Sequence, residues 1–185
     1  MSEASSDEAL MLAYRDGREE AFELLYRRWR GKLYRYLLHQ CNQAAVADEV
    51  FQDVWLRVVN ARFSYEVTAK FSTWLFRIAH NRLIDHFRAQ KGTVSLDDDE
   101  QTFIEMAAPE HETPARLLDR KQVAERIVKQ LQALPDEQRE VFLMAEEGGM
   151  TLEEIANATG VGREIVKSRL RYALGKLRQG LGDLL

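Results

Sequence analysis

Residues 151–178 read TLEEIANATGVGREIVKSRLRYALGKLR. Thr151-Leu-Glu-Glu154 predicts a capping box: the Thr oxygen takes a backbone N–H and the Glu reaches back. The helix it starts is short, because Gly160 and Gly162 interrupt it. A second helix is predicted over about 163–180. From Arg163 to Arg178 there are six bases and one acid. A short helix, a tight turn with Gly and a second helix make a helix-turn-helix. Small Ala156 permits close approach, and Ile155, Val161, Val166 and Leu170 are placed to lock the pair. Arg163, Lys167, Ser168, Arg169 and Arg171 then face away from that core. Such a helix fits a DNA major groove, its N-terminal side chains at base edges and its flanks on phosphates.

Upstream, Pro135 at a first helical position, with Asp136 and Glu137 behind it, predicts a helix that Gly148-Gly149 ends. Leu117, Leu118, Val123, Ile127, Val128 and Leu131 predict another over 115–133. Residues 92–115, GTVSLDDDEQTFIEMAAPEHETPA, hold two prolines and four consecutive acids, with weak periodicity. They read as a linker, too long for a connection inside one compact domain.

The first half repeats the helical pattern. Phe22, Leu25, Tyr26, Trp29, Leu33, Tyr36 and Leu37 form one apolar stripe over 18–40. Val46, Val50, Phe51, Val54, Trp55, Leu56 and Val58 predict a helix over 44–60, with Asp48, Gln52 and Asp53 opposite. The stretch NARFSYEVTAKFSTW is too polar and aperiodic to be all helix. Trp74, Leu75, Ile78, Leu83, Ile84 and Phe87 then mark a helix over 71–90, and Gly92 its stop. The expected fold is all-α: two small helical domains, 1–92 and 116–185, joined by a flexible acidic linker over 93–115.

Composition narrows the class. The chain has 185 residues, 45% hydrophobic and 30% charged, as in an ordinary soluble protein. A single cysteine, Cys41, allows no internal disulfide and fits a reducing cytosol. The start, MSEASSDEAL, is not a signal peptide, and no apolar run approaches the roughly 20 residues of a membrane helix. The net charge of −4 hides sorting along the chain: residues 10–92 carry 14 bases and nine acids, residues 93–119 one base and eight acids. Surfaces of different sign suit different partners. No nucleophile elbow, carboxylate pair or phosphate-cradling loop stands out. His39, His80, His86 and His111 lack metal-ligand spacing. No catalytic residue, metal or cofactor is expected.

Taken together, DEVFQDVW (48–55), FSTWLFRIAHNRLIDHFR (71–88), LPDEQREVF (134–142) and the helix-turn-helix, in this order, resemble a bacterial RNA polymerase sigma factor of the sigma-70 family, extracytoplasmic-function (ECF) type. The resemblance spans about residues 10–180. It implies a transcription initiation factor that binds core RNA polymerase through the largest-subunit clamp and the flap. Region 2 would dock and melt the promoter −10 element, and region 4 would read the −35 element. Asp48, Gln52 and Asp53 would dock on the clamp. Arg77, Asn81, Asp85 and Arg88, with Arg62 and Lys70 in the preceding loop, would handle the −10 strand, Asn81 offering a donor and an acceptor to a flipped base. Trp74 and Phe76 read as stacking platforms or as core, and spacing favours core for Trp74. Asp97, Asp98, Asp99 and Glu100 would mimic RNA charge in a basic channel. An anti-sigma factor is the implied inhibitor, and the implied location is cytoplasmic. The common Gly-Thr of the family is replaced by Glu164-Ile165, so Glu164 either accepts from a cytosine or caps the helix. The alternative is a stand-alone helix-turn-helix regulator reading duplex DNA as a dimer.

Overall fold

The structure, a computed structural model, describes residues 5–90 and 114–182. Among these it has eight α-helices and no strand: α1 Asp7–Arg15, α2 Glu19–Cys41, α3 Ala44–Asn60, α4 Phe71–Gln90, α5 Pro114–Gln132, α6 Asp136–Glu146, α7 Leu152–Thr159 and α8 Arg163–Leu181. A 3-10 turn, Arg62–Ser64, follows α3. Asp97 to Glu100 and His111 lie outside the described residues.

The first helix was not read from the sequence. Its signals are short-range: the Ser6 hydroxyl accepts from Ala9 N at 3.2 Å, and Asp7 and Glu8 stand in the first turn. Those two acids also do long-range work. Asp7 accepts from Arg28 at 2.7 Å and from the Trp29 indole at 3.0 Å. Glu8 Oε1 accepts from Phe71 N at 2.8 Å, so a side chain of α1 satisfies a free N–H at the start of α4.

Between α1, α2, α3 and α4 the expected stripe is buried. Leu25, Leu33, Tyr36 and Leu37 of α2 meet Val50, Val54 and Val58 of α3 and Phe71, Leu75 and Phe76 of α4 in one core, all at 0% exposure. Each such side chain contributes about 1.5–3 kcal/mol by leaving water. Phe76 therefore serves the core and cannot stack a base. Leu56, read as part of the α3 stripe, is 58% exposed. It falls one turn past Gln52, on the polar face, because the stripe at 50, 54 and 58 already fills the buried side.

In the second half, Pro135 is the N-cap of α6 and not its first residue, with Asp136 opening the helix. Buried Arg139 explains the tight α5–α6 joint: it donates to Leu134 O at 3.2 Å and Gln132 O at 3.3 Å, and to Asp136 at 2.6 Å. Leu131 and Leu134 pack with Ala173 and Leu177 of α8 in a smaller cluster. Val123 and Ile127, expected to face inward, are 37% and 40% exposed. Within α5 the side chains of residues 114–119, Leu117 and Leu118 among them, lie outside the described residues.

The two halves, whose relative placement the sequence left open, pack against each other. α2 packs on α6 and α4 on α7. One apolar cluster continues from Leu10 and Phe76 through Met144 to Ile155 and Val166. Sequence periodicity reports which face of a helix is buried but not which helix covers it.

Candidate nucleic-acid interface

The helix-turn-helix forms as its sequence predicts. Thr151 Oγ1 accepts from Glu154 N at 3.3 Å, and Thr151 N donates to Glu154 Oε2 at 2.8 Å. Burial pushes the Glu154 carboxyl up, but the Thr151 backbone N–H and the Lys70 ammonium outweigh it and leave the group below its ordinary value. Gly160 closes α7 at φ +71°, a left-handed turn that glycine enters without Cβ strain. Ile155 and Val166 are fully buried, and Val161 and Leu170 pack beside them.

On α8, Arg163, Lys167 and Arg171 are exposed. Ser168 and Arg169 are only half-exposed, against the expectation that all five project freely. Arg169 Nη2 donates to Glu137 of α6, because α8 packs along α6 on that side. Glu164 makes no cap: Gly162 is the N-cap without a side-chain bond, and Glu164 stands 3.0 Å from Arg163 and 3.9 Å from Lys167. Glu153 stands 3.6 Å from Arg163. One acid before the turn thus stands beside the first base of α8, while its neighbour Glu154 pairs with Lys70.

A second basic face lies on α4. Arg77, Asn81, Asp85 and Arg88 are all exposed at successive turns of one side. Ahead of them, the Arg62 guanidinium lies 5.0 Å from the Tyr14 ring and 4.3 Å from the Phe63 ring. Phe63 is 71% exposed. Sequence reading named its loop but not this side chain. An apolar ring in a loop beside Arg62, with no stripe to join, was the signal. Trp74 is half-buried against Tyr65 and Phe71, with ring centroids 5.0 and 5.8 Å apart. Lys70 is exposed but its Nζ sits 3.0 Å from Glu154 Oε1 of α7.

The polar face of α3 presents Asp48 and Gln52 to solvent, with Leu56 beside them. Asp53 differs: it is half-buried and receives Arg82 Nη2 of α4. Burial, and then the Asp48 carboxylate, holds the Tyr34 phenol above its ordinary value.

Among the described residues no three His, Cys, Asp or Glu side chains come together to hold a metal ion. Burial pushes the Cys41 thiol up to about 12 and the His39 imidazole down.

The chain is similar to known proteins in sequence and in fold. Residues 25–93 match the Sigma-70 region 2 family and residues 130–179 the Sigma-70, region 4 family. The ECF RNA polymerase sigma factor RpoE of Cereibacter sphaeroides is 33% identical over 174 residues, 92% of each chain. The RNA polymerase sigma factor CarQ of Myxococcus xanthus is 29% identical over 175 residues, 94% of this chain and 97% of that one. In fold, the chain resembles CnrH solved in complex with the cytosolic domain of CnrY, with TM-score 0.66 and 23% identity over 97% and 99% of the two chains. It also resembles a sigma factor RpoE solved with the anti-sigma factor NepR from Bartonella quintana, with TM-score 0.67 and 18% identity over 87% and 96%.

The chain belongs to the sigma-70 family of RNA polymerase sigma factors, in its ECF branch. It is a transcription initiation factor that directs RNA polymerase to promoters. That sets aside the stand-alone dimeric regulator.

Proposed function

We propose that this sigma factor divides its task between the two halves. Residues 1–92 dock core RNA polymerase and open the −10 element, residues 116–185 read the −35 element as duplex, and residues 93–115 tether them. The observation that carries the reading is the α4 face. Arg77 and Arg88 bracket Asn81 on an exposed row of α4, and the ring of Phe63, in the turn ahead of that helix, is exposed as well. A melted strand needs cations for its phosphates and an aromatic or amide partner for an unstacked base. Arg77, Arg88 and Arg62 supply the charge, Asn81 the amide and Phe63 a stacking surface. Asp85, 4.0 Å from Arg57 and 3.7 Å from Arg82, orients neighbouring bases on this face. Lys70 joins them once freed from Glu154.

On α8, Arg163, Lys167 and Arg171 face the groove, and Ser168 and Arg169 border it at the flank. On α3, Asp48, Gln52 and Leu56 meet the polymerase clamp, with Asp53 behind them, and the second half engages the flap. The chain supplies recognition and leaves bond making to the polymerase. An anti-sigma factor is the expected regulator, supported by the NepR complex of a structural relative. The site of action is the cytoplasm, with the polymerase and promoter DNA it serves, and no described helix is long and apolar enough to cross a membrane.

The test is Asn81→Ala in polymerase holoenzyme, followed by permanganate footprinting of unpaired thymines. Reduced reactivity near the −10 element, with core binding unchanged, supports the assignment. Normal melting removes it.

A further inference from the structure

One side chain on α8 is out of keeping with its neighbours. Ile165 is apolar, stands in the first turn of the helix, and is 52% exposed. Among the described residues it joins neither apolar cluster, whereas Val166 beside it is fully buried. Each residue of a helix turns about 100° from the last. With Val166 facing the core, Ile165 and Lys167 therefore fall on opposite flanks of α8, and Glu164 and Ser168 lie between them on the outer side. Elsewhere on a surface a lone exposed apolar side chain needs no explanation. Here it occupies the helix end that, in the −35 reading above, meets base edges. Where the family commonly has Thr, Ile165 also withdraws a hydroxyl.

The major groove offers ring-nitrogen and carbonyl acceptors, amino donors, and one apolar group, the C5 methyl of thymine. Arg163, Glu164, Lys167 and Ser168 all carry polar atoms for the first kinds. Ile165 carries none, and a methyl is the one feature of a base edge that it matches. The same flank holds a second exposed side chain, Tyr172, at 56%, with the Arg171 guanidinium 5.2 Å from its ring. Tyr172 follows Ile165 by seven residues, about 10.5 Å along the axis. That is close to the width of a major groove, about 12 Å. With Ile165 at the base edges, Tyr172 and Arg171 reach the groove wall, where a hydroxyl and a guanidinium meet phosphate and carry no sequence information.

We infer that Ile165 is a specificity-determining residue: it packs on the C5 methyl of one thymine in the −35 duplex and selects thymine at that base pair. The inference rests on the −35 reading and deepens it by naming the base that this flank of the helix prefers. Taking one methyl out of water changes affinity about fourfold, a preference smaller than a good bidentate hydrogen-bonded pair gives.

Deoxyuridine isolates the contact, because it removes the methyl and leaves every hydrogen-bonding group of thymine in place. Holoenzyme, assembled from core polymerase and the full chain, first selects a −35 element from a randomised duplex library. Each thymine of the selected duplex is then replaced singly by deoxyuridine, and binding is measured by competition at one salt concentration. One replacement is expected to weaken the unaltered protein about fourfold. The same replacement is expected to leave Ile165→Ser unaffected and to weaken Ile165→Val, which keeps an apolar branched side chain, at least twofold. Selection repeated with Ile165→Ser is expected to relax that one position. A selected element without thymine, or deoxyuridine effects that are the same for the unaltered protein and Ile165→Ser, overturns the role of Ile165 and leaves the −35 reading standing. Loss of core polymerase binding by Ile165→Ser places this side chain in the fold or against the polymerase, and also overturns it. Failure of the unaltered holoenzyme to select any upstream element overturns the −35 reading, and this inference with it.

Discussion

Arg82 of α4 donates through Nη2 to the Asp53 carboxylate of α3. The same guanidinium stands 3.7 Å from Asp85, so one arginine links α3 to the exposed face of α4. Asp53 is therefore partly neutralised before any partner arrives. Asp53→Ala is expected to weaken core binding less than threefold, whereas Gln52→Lys, on the exposed part of the face, weakens it at least tenfold. Asp53→Ala also costs about 1 kcal/mol of stability, since Arg82 is only 21% exposed and loses the nearer of its two carboxylate partners. Titration with labelled core and urea unfolding measure the two effects.

Leu56 is an apolar side chain at 58% exposure on the same face as Asp48 and Gln52. Central apolar anchors within a polar rim carry much of an interface's energy. Leu56→Asp is expected to leave folding stability within about 0.5 kcal/mol and to reduce core affinity at least tenfold. Unchanged affinity in a competition assay assigns the docking surface elsewhere.

Lys167 and Arg169 were expected to act alike, and the structure separates them. Lys167 is exposed, while Arg169 is half-buried and engaged by Glu137. Lys167→Ala is expected to relax preference at one upstream base by about 1–3 kcal/mol. Arg169→Ala is expected to lower binding evenly across sequences and to reduce the salt slope by about 1. Selection from a randomised −35 library by holoenzyme distinguishes the two outcomes.

Gly160 stands at φ +71° with nothing within 4 Å of an added Cβ. Space is therefore not the obstacle, and backbone strain is. Gly160→Val is expected to cost about 1–2 kcal/mol and lower Tm by about 4 °C. Gly160→Asn costs less, because Asn visits this region. Thermal unfolding of the three forms orders them.

Much of this architecture is legible in the sequence because its signals are local. The Thr151–Glu154 box, the Gly160 turn and the stripes at 25–37 and 50–58 depend on spacing alone, and the structure forms each of them. The α4 face is legible for the same reason: Arg77, Asn81, Asp85 and Arg88 recur at helical spacing and remain outside the core. What escaped depends on tertiary neighbours. Asp53 reads as a free acid until α4 brings Arg82 to it. Arg169 reads as a groove base until α6 brings Glu137. Leu56 leaves the buried stripe expected of it, and Phe76, open between stacking and core, joins the core, because only packing decides which apolar side chain is covered. Glu140 meets Tyr36 and His80, 104 and 60 positions away in the chain, and no periodicity spans such distances.

Run-off transcription with purified core RNA polymerase over a promoter library tests the central claim most directly. Adding this protein is expected to produce discrete transcripts from templates that share paired −35 and −10 sequences, with none from core alone. Transcripts unchanged by its addition, or absent from every template while core binding is intact, contradict it.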